Sequence, residues 1–72
     1  MTRDEWIDAF AREAGVERPS QQEIRELLEL AGSAAHASER TAAPLACWIA
    51  GRCDMPLEQL RALAERIGDP PV

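Results

Sequence analysis

Residues 20–38 read SQQEIRELLELAGSAAHAS. Ser20 followed three positions later by Glu23 is a capping box, in which each side chain satisfies a backbone N–H that the first helical turn leaves open. Behind it Ile24, Leu27, Leu28, Ala31, Ala34 and Ala35 return at helical spacing, while Arg25, Glu26, Glu29, Ser33 and His36 fall on the opposite arc. The stretch is an amphipathic helix over about 21–38. Its second half is built of small residues, which lets another helix approach closely.

The same signals recur on both sides. Upstream, Thr2 and Glu5 form a second capping box, Trp6, Ile7, Phe10, Ala11 and Ala14 make an apolar face, and Gly15 is placed to stop the helix. This predicts a first helix over 4–14. Downstream, Thr41 stands at the cap position of a third helix over 42–52, with Pro44 in its first turn, where no helical partner for its N–H is lost. From Thr41 to Gly51 there is no charge. A helix apolar all round is expected to be buried, so this helix is expected at the centre. A fourth helix over 56–67 follows Asp54 as cap and Pro56. Leu57, Leu60, Leu63, Ala64 and Ile67 form its stripe, and Gly68 with Asp69-Pro70-Pro71 closes it. The fold class is all-α: a compact bundle of four short helices, one domain over 1–72, with the charge-free third helix inside.

The bulk chemistry narrows the function. The chain has 72 residues, 46% of them hydrophobic and 29% charged. A chain this short buries only about 60% of its unfolded surface, so its core is marginal. The net charge is −5, and every fixed positive side chain is an arginine. That balance disfavours nucleic acid and anionic membranes, which require clustered cations. Cys47 and Cys53 are too few for a disulfide scaffold, and their spacing matches no zinc pattern. The opening MTRDEWID lacks the apolar core of a signal peptide, and no run approaches the ~20 apolar residues of a membrane span. A cytoplasmic protein is the expectation. No hydrolase, kinase, P-loop or dinucleotide-binding pattern is present, so neither an enzyme nor a bound cofactor or metal is expected.

The chemistry that remains is concentrated in residues 36–45, HASERTAAPL. His36, Glu39, Arg40, Thr41 and Pro44 fall at the corner between the second and third helices, with Leu45 beside them. One reading is a small anion site, with Arg40 as a bidentate donor, His36 nearby and the free N–H groups of the third helix aimed at the same place. The other is a capped corner, with Ser38 ending one helix, Thr41 capping the next and Arg40 paired with Glu39 or with the carbonyls of the second helix.

Two resemblances bear on the choice. MPLEQLRALAERIGDPP looks like the closing helices of phage-repressor-type helix-turn-helix domains, and FAREAGVERPSQQEIRELL puts Gln21, Gln22 and Arg25 where base readers sit. Glu23, Glu26 and Glu29 on that same helix would then face phosphates. The combination of MTRDEWIDAFAREAGV, AGSAAHASER and TAAPLACWIAGR resembles a family of small actinobacterial domains of unknown function. Its most specific piece is H-x-x-E-R-x-A-A-P-L. Such domains occur alone or near, and sometimes fused to, proteins similar to molybdenum-cofactor guanylyltransferases. The resemblance implies a non-enzymatic accessory domain with a protein partner of that kind. Anionic-ligand binding at the corner and a degenerate helix-turn-helix are the alternatives. A partner module predicts an exposed apolar patch beside the polar corner. A marginal core also favours self-association, with the Leu-rich fourth helix as a face for it.

Overall fold

In a computed structural model, which describes residues 1–68, the chain forms α1 (Arg3–Ala14), α2 (Gln21–Ala37), α3 (Ala42–Arg52) and α4 (Leu57–Gly68), with no strand among the described residues. The expected stop Asp69-Pro70-Pro71 lies outside the described residues.

Both capping boxes form. The Thr2 hydroxyl accepts from the Glu5 N–H at 3.1 Å, and the Glu5 carboxylate accepts from the Thr2 N–H at 2.7 Å. Ser20 and Glu23 repeat the arrangement at 3.1 and 2.7 Å. Gly15 closes α1 at φ 78°, a left-handed conformation that a Cβ would strain. The Gly15 N–H then reaches Arg12 O and the Val16 N–H reaches Ala11 O, the paired bonds of a Schellman ending. Ser38 ends α2 as expected, donating from both N–H and hydroxyl to Ala34 O at 3.2 Å.

Two expected caps do not form. Thr41 is helical in conformation and makes no side-chain cap bond. A capping hydroxyl accepts from the second or third amide of the helix. Here the third residue is Pro44, which has no N–H, and the Ala43 N–H is already held by Arg40 O at 3.2 Å. Asp54 caps nothing either. The Pro56 carbonyl takes the Leu60 N–H at 3.1 Å, so α4 starts at Leu57 and Asp54 stands too far upstream to reach its first turn.

The central helix is α2, not α3. It packs against α3 on one side and α4 on the other. The core is Leu30, 5% exposed, with Ala50 of α3 and Leu60 of α4, surrounded by Leu27, Ala46, Leu57 and Ala64. Burying α3 all round would take neighbours on every side, and the chain has none to spare. It buries Ala50, half-buries Ala46 and Cys47, and turns Leu45, Trp48 and Ile49 to solvent. A second departure concerns α1. Of its expected packing face only Ala11 is buried, Ile7 is half-buried, and Trp6 and Phe10 are exposed.

The result is elongated, 46 × 24 × 17 Å. The chain exposes 5895 Å². A folded monomer of 7.9 kDa is expected to expose about 4,400 Å². Large apolar side chains are among the exposed ones, and two groups of them stand out: Trp6 with Phe10 on α1, and Leu45, Trp48, Ile49 and Ile67 on α3 and α4.

Candidate functional site

The corner between α2 and α3 places His36, Glu39, Arg40, Thr41 and Pro44 in solvent. None of the three ionisable side chains forms a hydrogen bond or ion pair with another described residue; the ion pairs of the described residues are Arg3–Asp4, Arg18–Asp8 and Arg61–Glu29. Arg40 therefore does not close on Glu39. The amides that an anion would need at the start of α3 are engaged. Ala42 N–H donates to Glu39 O at 2.9 Å, Ala43 N–H donates to Arg40 O, and Pro44 has none. A helix N-terminus binds anions through unsatisfied N–H groups, and here the first turn keeps its own.

Immediately beside this corner is an apolar groove of about 390 Å³, bounded by the second half of α2, one face of α3 and the end of α4. Ala34, Leu45, Ala46, Ile49, Ala64 and Ile67 form its walls, with Ser38 and Ala42 at the corner end. The small residues of α2 explain the shape: with no bulk at Ala34 and Ala37, α3 and α4 diverge over an open floor. Leu45 is 65% exposed and Ile67 73%. On the adjoining surface of α3, Trp48 is 63% exposed and lies under the Arg52 guanidinium, 4.5 Å from the ring centroid. Of the corner residues singled out by the sequence, Leu45 enters the groove and the charged ones stand at its rim. Ile49 and Ile67 escaped as surface residues because each carries an apolar signature that normally means core.

A larger cleft of about 660 Å³ lies at the other end, between the α1–α2 loop and the α3–α4 loop, and includes Cys47 and Cys53. Its chemistry is quiet. Cys47 Sγ lies 3.9 Å from Leu27 O, and burial pushes its thiol up, which lowers the thiolate fraction that nucleophilic attack or metal ligation requires. Both cysteines are free, and no group of three or more His, Cys, Asp or Glu side chains suited to a metal occurs among the described residues. Of the side chains considered as base readers, Gln21 donates to Asp4 at 3.3 Å and Gln22 to Glu26 at 3.1 Å. No helix among the described residues is long and apolar enough to cross a membrane.

A family model described as a domain of unknown function (DUF6457) matches residues 1–69, nearly the whole chain. The chain belongs to this family. The match takes in all four helices, so the groove, the corner and the exposed face of α1 all lie within the family domain. No curated protein and no solved structure matches the chain significantly.

Proposed function

We propose that this member of the family is a non-enzymatic protein-interaction domain that docks a partner in the α2–α3–α4 groove. The observation that carries the reading is the apolar groove itself, open to solvent and flanked by charged side chains with no partner among the described residues. Soluble monomers seldom expose a contiguous apolar face of this kind unless something covers it. Its shape suits an amphipathic helix laid between α3 and α4, with apolar side chains at helical spacing entering beside Leu45 and Ile49. Arg40 at the rim suits a carboxylate on that helix. The resemblance of residues 1–52 to domains found near molybdenum-cofactor guanylyltransferase-like proteins makes such an enzyme the first partner to test.

The test is calorimetric titration of the chain with the purified guanylyltransferase-like protein. A complex with micromolar or tighter affinity is expected. Leu45→Asp or Ile49→Asp should weaken it about 30-fold, corresponding to roughly 2 kcal/mol for one buried anchor. Absence of a complex, or one indifferent to both substitutions, rejects this partner and this face.

A further inference from the structure

The second uncovered face belongs to α1. Residues 3–13 read RDEWIDAFARE. Arg3, Trp6, Phe10 and Glu13 recur at intervals of three, four and three, the spacing of a seam between two paired helices. All four are exposed, and the Trp6 and Phe10 rings stack with centroids 5.0 Å apart. On the adjoining side of the helix Ala11 is buried and Ile7 half-buried, Ile7 lining a small apolar pocket with Ile24, Leu27 and Leu28 of α2; Arg3, paired with Asp4 at 2.9 Å, stands at the edge of that pocket. The inner side of α1 is tied to the rest by Gln21 to Asp4 and by Arg18 to Asp8 at 2.7 Å. The outer stripe has no covering element among the described residues.

The order of the side chains identifies the partner. Laid against a reversed copy of itself about Asp8, the helix sets Trp6 opposite Phe10 and Phe10 opposite Trp6. It sets Arg3 opposite Glu13, and Glu13 opposite Arg3. A two-fold axis demands this reciprocity: where one residue meets a second, the second meets the first. In a parallel pairing the same stripe would place Arg3 on Arg3 and Glu13 on Glu13. Of the leucines of α4, the other face offered for self-association, Leu60 is buried and Leu57 half-buried in the core, which leaves Leu63, 36% exposed, as a lone leucine with no aromatic beside it on that helix. Paired α1 helices would also cover Trp6 and Phe10, which are 53% and 59% exposed.

We infer that the protein forms a two-fold dimer through α1, packed antiparallel against α1 of a second copy, with Trp6 on Phe10 and Arg3 on Glu13 across the axis. None of these four residues lines the α2–α3–α4 groove, so the dimer does not rest on the docking role of that groove and leaves it open.

Sedimentation equilibrium on the full chain tests this. The wild type should show a concentration-dependent monomer–dimer equilibrium in the micromolar range. Trp6→Ala should weaken it at least about 30-fold, because both copies lose a central aromatic anchor. Arg3→Glu and Glu13→Arg should each weaken it roughly tenfold by turning two exposed attractions into repulsions. The double variant R3E/E13R restores opposite charges at the mirrored positions and should recover most of the wild-type affinity. Both single changes place the favourable charge sign at their end of the helix, so a lost dimer cannot be ascribed to a melted α1; circular dichroism of each variant verifies this. A wild type monomeric through hundreds of micromolar overturns the proposal. So does a dimer indifferent to Trp6→Ala, or a double variant no tighter than the singles.

Discussion

α1 and α2 begin with the same device and end in different circumstances. Each opens on a hydroxyl-bearing cap with a glutamate three residues on, and the four hydrogen bonds are nearly superimposable in length. Each carries an apolar stripe at helical spacing. Yet α2 is covered on two sides, by α3 and by α4, whereas α1 buries one alanine. Local chemistry makes a helix; it does not decide how much of that helix the rest of the chain will cover.

The largest expected break in this comparison is Leu30→Ala. Removing the most buried leucine should cost about 2–5 kcal/mol by urea unfolding, since it takes both packing and transfer free energy from the one shared core. Trp6→Ala, although it removes a larger side chain, should change the stability of the monomer by no more than about 0.5 kcal/mol, because Trp6 is 53% exposed. Equal losses at the two positions would mean that α1 is as firmly packed as α2.

The caps sharpen the contrast. Ser20→Ala should lower global stability by about 1 kcal/mol, since α2 cannot fray without opening the core. Thr2→Ala removes the same bond but should leave the urea midpoint nearly unmoved, appearing instead as faster amide exchange over residues 3–7. An effect smaller than that of Ser20→Ala is expected from Arg61→Ala, which releases the exposed ion pair of α4 with Glu29 on α2. It should cost between about 0.2 and 1 kcal/mol, and less as salt is raised.

The gentlest of these breaks is acid, which should loosen α1 before the bundle. The Thr2 backbone N–H, then its hydroxyl, hold the Glu5 carboxyl below its ordinary 4.5, while Arg3 and then Gln21 hold Asp4 below 3.8. Both groups bind protons more weakly in the folded chain than in the unfolded one. Their contribution is therefore complete above the ordinary carboxylate range and is lost as the pH falls through the lower, folded values. Protection factors for amides in α1, exchange rates corrected for their intrinsic pH dependence, should fall on acidification through that range before protection at Leu30 changes. Simultaneous loss would show that α1 and the core open as one unit.

The elements were legible to within a residue. Ranges expected at 4–14, 21–38, 42–52 and 56–67 are found at 3–14, 21–37, 42–52 and 57–68. Capping boxes, Gly15 and Pro44 act through bonds and clashes within a turn or two, so their effect can be read from neighbours in the chain. Leu30 escaped for the opposite reason. It falls off the arc defined by Ile24, Leu27, Leu28 and Ala31, and is buried because α2 is covered from two directions. Leu28, on that arc, stays more than half exposed at the loosely covered side facing α1. The corner was legible as a place where charged side chains gather. Of the groove's apolar side chains, Leu45 was legible as part of that corner, whereas Ile49 and Ile67 look like core until their surroundings are known.

By itself, then, the sequence determined four helices, their ends and the antisymmetric stripe of α1, all set by groups a few residues apart. Tertiary structure alone decided that α2 is central, that the largely apolar α3 shows a face to solvent, and that the first turn of α3 has no amides left for an anion. The physical reason is that burial is a property of pairs of distant elements. A 72-residue chain has too few of them to cover every apolar face it makes.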